Sequence, residues 1–197
     1  DGTVATINKQ PSTNNYLKII ENKKNYGFAK GNNIGARKTA GTYLLFLNSD
    51  TEVLDNGLMS MVAFLEKNKH VGILGGKLTN SDGTSQPSIG RFYTLFYLFI
   101  MLFGGEKAGL LRESPKVLTP VDWVSGAAMM VRSSLFGALS GFDERFFMYV
   151  EDMELCFRAK KMGFPIYFYS DVSIRHRALG SSNRTFAILH IYKGLLY

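Results

Sequence analysis

Residues Thr42–Leu47 form an almost unbroken apolar run that stops at Asn48-Ser49-Asp50. Such a run lacks the alternation of a half-exposed strand. It is the pattern of a central parallel strand covered by helices on both faces. The flanking segments agree. Tyr16–Glu21 reads as a short strand, Asn22–Gly27 as a loop of turn formers, and Gly31–Ala40 as a helix closed by Gly41. Gly57–Lys69 has the apolar side of an amphipathic helix, with Met59, Val62 and Leu65, and His70–Leu78 is another strand. Strand and helix alternate as in βαβ units, which predicts an α/β fold with a mostly parallel open sheet flanked by helices. Ligands of such sheets sit beyond the carboxyl ends of the strands, and Asn48-Ser49-Asp50 lies at such an end.

The second half continues the pattern after an interruption. Arg91 precedes Phe92–Phe103, an apolar stretch too short for a bilayer span, which needs about 20 residues. A buried core helix and an interfacial element both fit it. Arg91, Lys107 and Arg112 nearby favour the interface with anionic lipid. Asp122–Val131 reads as strand, Arg132–Leu139 as a short helix, Glu151–Met162 as a helix ended by Gly163, and Phe164–Tyr169 as a strand. Ser173–His176 follows, and Thr185–Tyr197 reads as a final helix.

Composition sets the outer limits. The chain has 197 residues, 46% of them hydrophobic, which suits one domain with a real core. Its net charge of +7 favours partners with phosphates or an anionic membrane surface. The charge is dispersed, so no nucleic-acid arm is expected. The single cysteine, Cys156, excludes a disulfide within the chain and points to a reducing compartment. No signal peptide is expected in the sequence as given. Asp1-Gly2-Thr3 reads as the end of a turn and Tyr197 falls inside a helical pattern, so a fragment is expected.

Three groups carry candidate chemistry. Glu151 and Asp152 open a helix directly after the aromatic run Phe146-Phe147-Met148-Tyr149. Apolar surroundings raise a carboxylate's pKa while a helix N-terminus favours its charge, and together these terms can produce a base near neutrality. The same pair fits a plain helix cap equally well. Asp50 ends a strand and His176 follows a later one. Asp and His can share a divalent metal whose shell a diphosphate completes.

In this order and spacing the residues resemble the inverting family 2 glycosyltransferases of the GT-A fold, the rhamnosyltransferase-like enzymes of bacterial surface polysaccharides above all. Glu21–Gly35 is similar to the family's ENxxNxGFAxGNNxG segment. Leu44–Asp50 matches LLFLNxD, a variant of the DxD metal motif in which Asn48 replaces the first acid. Asp122–Ala127 resembles the acceptor-side WVSGA, and Gly141–Asp152 the GFDExFFMYxED. His176 and Gly180-Ser181-Ser182 resemble the HxxxGSS tail, with Arg177 where relatives often carry a second histidine.

The resemblance implies transfer of a sugar, with inversion, from a nucleoside-diphosphate donor to a hydroxyl of a glycan or lipid-linked acceptor. Asp152 would be the base, with Glu151 shaping its pocket. Mg²⁺ or Mn²⁺ would sit on Asp50 and His176. Asn25, Gly31, Asn32, Asn33, Asn48 and Asp50 would face the nucleotide, the Gly31–Asn33 loop through its backbone N–H groups. Trp123 and Gly126 would line the sugar and acceptor cleft, the indole face against the sugar. The expected setting is cytoplasmic, peripheral on the inner face of the plasma membrane. Residues 1–197 are expected to be one transferase domain lacking the first nucleotide-binding strands. Two alternatives stay open: a sugar nucleotidyltransferase, and a non-catalytic module that binds sugar or membrane.

Overall fold

Phe46 and Leu44 face one apolar core while Tyr43 and Leu45 face another. The apolar run is therefore covered on both sides, as its composition requires. The structure is a computed structural model that describes residues 17–94, 97, 112–177 and 184–195. Its first half comprises α1 (Gly27–Ala36), β1 (Tyr43–Leu47), β2 (Thr51–Val53), α2 (Gly57–Lys67), β3 (Ile73–Thr79), β4 (Ser85–Gln86) and β5 (Ile89–Gly90). The second half comprises β6 (Arg112–Glu113), β7 (Thr119–Val121), β8 (Trp123–Val124), β9 (Ala128–Arg132), α3 (Ser133–Ala138), α4 (Glu151–Lys161), β10 (Ile166–His176) and α5 (Arg184–Leu195).

The main sheet runs β1–β9–β3–β10–β2, with β4 added to β3 and β7 to β10. One face packs on α2 through Met61 and Leu65, and the other on α3 and α4 through Leu135, Phe136, Leu155 and Cys156. Strand β9 shows the alternation that three layers impose. Met129 and Val131 join one core, Ala128 and Met130 the other.

The expected α/β layering is present, but the pairing differs from the expected parallel sheet. β1, β3 and β10 point the same way, yet among the described residues only β3 and β10 pair directly in parallel. β9 enters antiparallel between β1 and β3. Arg132 at its end gives the reason. Its guanidinium donates to the carbonyls of Leu65 and Asn68 at the close of α2, and its Nε to Val71, just before β3 begins. The end of β9 is thereby pinned beside the start of β3, which fixes the opposite direction.

Other boundaries shift for local reasons. Residues 17–20 are exposed and form no strand. α1 begins four residues before the expected start because Gly27 takes φ +79° and donates its N–H to Asn25 Oδ1 at 2.9 Å. A Cβ on Gly27 would lie 2.0 Å from the Phe147 carbonyl oxygen. The expected strand Asp122–Val131 breaks at Ser125–Ala127, where Ser125 N–H bonds to the Ser88 carbonyl and Gly126 N–H to Asp152. The Gly126 donor is thereby lost to any ladder. Ser173–His176 is absorbed into β10 past an irregularity after Tyr169.

Of the Phe92–Phe103 segment, all but residues 92–94 and 97 lies outside the described residues, as does Gly180-Ser181-Ser182. The start of the segment is packed inward: Phe92 meets the Phe157 ring edge-on at 5.3 Å and donates its N–H to Asp122. Among the described residues no helix is long and apolar enough to cross a membrane.

Candidate active site

The turn into α4 is built from backbone conformations that most residues avoid. Tyr149 and Val150 both adopt left-handed φ, at 70° and 72°. For β-branched Val150 this is a genuine outlier, and each such residue costs about 1–3 kcal/mol. Surrounding contacts hold the turn in place. Phe28 N–H donates to the Phe147 carbonyl at 2.7 Å, Phe146 is buried, and Gly194 of α5 comes close to both Phe146 and Val150. The helix that follows carries Glu151, Asp152 and Glu154 in its first turn and Arg158, Lys160 and Lys161 in its last, complementing the dipole at both ends.

Asp152 divides its two oxygens. Oδ1 accepts the N–H of Met153 in its own helix at 2.8 Å, and Oδ2 accepts the N–H of Gly126 at 2.9 Å. The second bond, to a residue of a different segment, takes the side chain beyond a cap. Gly126 must be glycine for this approach, since a Cβ there would meet the Phe28 ring at 2.9 Å. Burial raises the Asp152 pKa, opposed by the N–H groups of Gly126 and Met153 and by the charge of Arg112. Glu151 is only 4% exposed, and its Oε2 has no hydrogen-bond partner. Burial first, and the neighbouring Asp152 second, push its pKa up to about 8. At neutral pH Glu151 therefore holds a proton, and burial shifts Asp152 in the same direction.

Asp50 and His176 come together as expected. His176 Nε2 lies 3.2 Å from Asp50 Oδ1 and 3.3 Å from Asn48 Nδ2. Gln86 Oε1 sits 2.8 Å from His176 Nδ1. In the tautomer whose Nδ1 proton is donated to Gln86, Nε2 has a lone pair that could face a cation together with the Asp50 carboxylate. Two lone-pair donors facing one point suit a cation between them. Among the described residues no third His, Cys, Asp or Glu joins them, so a ligand must supply the other positions.

The two groups share one end of the sheet. Asn48 N–H donates to the Ala127 carbonyl at 3.2 Å, and the N–H of Gly126, the residue before Ala127, holds Asp152. Asp50 follows β1 and His176 ends β10, two strands that run in the same direction. This is the strand end beyond which open α/β sheets bind ligands.

Other expected site residues have different surroundings. Gly31, Asn32 and Asn33 lie inside α1, so the backbone N–H groups expected to open a loop are in the helix interior. Asn32 Nδ2 donates to the Phe28 carbonyl. Buried Asn33 clamps the turn before the acid pair: Nδ2 donates to the Phe142 carbonyl and Oδ1 accepts the Phe142 N–H. Asn25 caps α1. Trp123 is 3% exposed, its indole N–H donates to the Arg91 carbonyl, and the Arg112 guanidinium covers its ring at 5.4 Å. Its face is therefore not free to meet a sugar. The sequence gives no signal for Gln86 beside His176 or for Arg112 over Trp123. A glutamine on a two-residue strand carries no motif, and Arg112 read only as part of a basic surface.

The signature of glycosyl transferase family 2 matches residues 1–135. The chain belongs to that family. It is 42% identical over 159 residues to an N-acetylglucosaminyl-diphospho-decaprenol L-rhamnosyltransferase of Mycobacterium tuberculosis, covering 72% of this chain and 49% of the relative. It is 29% identical over 170 residues to the rhamnosyltransferase WbbL of Escherichia coli K12, covering 82% of this chain and 64% of the relative. The chain thus spans about half to two thirds of these family members. The fold is that of GalNAc-T7, solved with UDP, GalNAc and Mn²⁺, at TM-score 0.60 and 17% identity, covering 81% of this chain and 32% of that one. The α/β architecture is accordingly the GT-A fold of the family.

Proposed function

We propose that residues 1–197 act as one transferase domain that moves a sugar, with inversion, from a nucleoside-diphosphate donor to a hydroxyl of a glycan or lipid-linked acceptor in bacterial surface polysaccharide assembly. The observation that carries this reading is the alignment of the Asp152 carboxylate and the Asp50–His176 pair at one strand end, joined through Gly126, Ala127 and Asn48.

The chemistry follows from the two environments. The acceptor hydroxyl must lose its proton as it attacks the anomeric carbon. Burial raises the pKa of Asp152, so its carboxylate is a stronger base than that of a solvated aspartate. The Gly126 and Met153 N–H groups fix its orientation. Protonated Glu151 adds no charge of its own beside it. The leaving diphosphate departs toward Asp50 and His176. Their oxygen and nitrogen donors fit Mg²⁺ or Mn²⁺, which when bound neutralises charge building on the diphosphate. The GalNAc-T7 structure with UDP and Mn²⁺ supports that choice.

The rhamnosyltransferase relatives favour a deoxyhexose donor, and the mycobacterial relative's diphospho-decaprenol substrate favours a lipid-linked acceptor. Such an acceptor, with the net charge of +7, supports a peripheral position on the cytoplasmic face of the plasma membrane. Flotation with vesicles tests that position: binding should rise with anionic lipid and fall with salt. The donor assignment is tested with Asp50→Ala. Its affinity for a nucleoside diphosphate should drop in Mn²⁺ and change little in EDTA. Equal loss in both conditions removes the metal from the reading.

A further inference from the structure

We propose that Arg112 is an anion-binding residue on the acceptor side of the base, seating a phosphate carried by the acceptor. The proposal rests on Asp152 being the base, and it adds a substrate feature that the base alone does not specify.

The geometry is set by three neighbouring strands. Gly90 of β5 pairs with Arg112 of β6 on one side and with Trp123 of β8 on the other. Residues in register across a sheet share a face. Gly90 has no side chain to stand between its neighbours, so the guanidinium reaches over the buried indole and rests there at 5.4 Å. The indole is itself held by its bond to the Arg91 carbonyl. Arg112 is therefore an oriented cation, held by contact with an aromatic face.

Its donors are otherwise uncommitted. Arg112 is exposed, and among the described residues no carboxylate pairs with it. By contrast Lys160, Arg158 and Arg175 all have acidic partners. The planar fork of a guanidinium is suited to two phosphate oxygens at once. Its position is also specific: Arg112 acts electrostatically on Asp152, three residues beyond Trp123 lies Gly126, and Gly126 holds the base. A phosphate on the sugar that presents its hydroxyl to Asp152 would lie on this side.

The single tryptophan supplies the readout. Geranyl diphosphate is titrated into the 197-residue chain with UDP or dTDP and Mn²⁺ already saturating, and Trp123 emission is followed. A saturable change is expected with geranyl diphosphate, a weaker one with inorganic pyrophosphate, and none with geraniol. Arg112→Gln should weaken the geranyl diphosphate response at least tenfold, and Arg112→Lys should keep part of it. A similar response to geraniol would assign the effect to the hydrocarbon tail and overturn the proposal. So would an unchanged affinity in Arg112→Gln, or loss of the response whenever nucleotide is present. Anionic vesicles that elicit the full response, with no response to geranyl diphosphate, would make Arg112 a membrane contact and overturn it as well. Nucleotide binding is measured on the same variants. If Arg112→Gln keeps it, a lost response is local to Arg112; if the wild type lacks it, the donor assignment fails separately.

Discussion

The two halves of the site are built to opposite standards. Around Asp152 every piece is in place without ligand. A strained turn, a clamped loop at Asn33, a glycine approach at Gly126 and a buried proton on Glu151 all fix one carboxylate. Around Asp50 there are two donors and one supporting glutamine, and among the described residues no third His, Cys, Asp or Glu joins them. The difference follows from what each half must do. A base has to be oriented and desolvated before its substrate arrives, whereas a diphosphate site draws part of its structure from the diphosphate itself.

The largest effect should come from the preorganised half. Asp152→Asn keeps the shape and can still accept the Gly126 N–H through its amide oxygen, so fold and donor binding should persist. Transfer by the full-length enzyme should fall about 10²–10⁴-fold, the usual loss on removing a general base. Near-normal turnover would reduce Asp152 to a helix-end residue and end the contrast between the halves.

How much of this could be read in the sequence depended on which forces were local. The apolar run of β1, the acid pair and the meeting of Asp50 with His176 were legible, because hydrophobic patterning and motif spacing reflect them directly. The direction of β9 was not. It depends on Arg132 reaching carbonyls some sixty residues earlier in the chain, at Leu65, Asn68 and Val71. Asn33 was misread for a related reason. Its motif position suggested a ligand, while its amide bonds to Phe142, far along the chain. Trp123 was expected to offer its face to a sugar, and only the register through Gly90 shows that Arg112 already covers it.

The sparse half is best probed through Gln86. It touches no ligand in the proposed mechanism and acts by holding the His176 ring. Gln86→Ala should weaken Mn²⁺ binding, measured with a nucleoside diphosphate present, by roughly 10–100-fold, as loss of a supporting partner typically does. An unchanged Mn²⁺ titration would show that the ring needs no support, and that this half is even less organised than described.

Glu151 allows the comparison to be drawn through stability. Its carboxyl has a folded pKa raised from 4.5 to about 8. Between those values the folded state binds more protons than the unfolded, so stability falls as pH rises across the window. Glu151→Gln removes that dependence. The variant should gain on the wild type by roughly 1 kcal/mol per pH unit from about pH 5 to 8, measured by denaturant unfolding. Parallel stability curves for the two proteins would show that Glu151 is not protonated in the fold.

The smallest expected effect concerns the strained turn. Val150→Gly should release the left-handed penalty, about 1–3 kcal/mol for such a residue. Against that stand the lost contact of the valine with Gly194 and the greater freedom of glycine in the unfolded chain. These terms nearly cancel, so the melting temperature should barely move. Turnover should nevertheless fall, because the turn that aims Glu151 and Asp152 becomes free to take other conformations while the donor half is untouched. kcat should therefore drop with donor affinity unchanged. A large fall in melting temperature would mean that the valine side chain stabilises the turn by more than its backbone strain costs. The acid pair would then be held by packing, and the left-handed backbone would be a consequence of that packing.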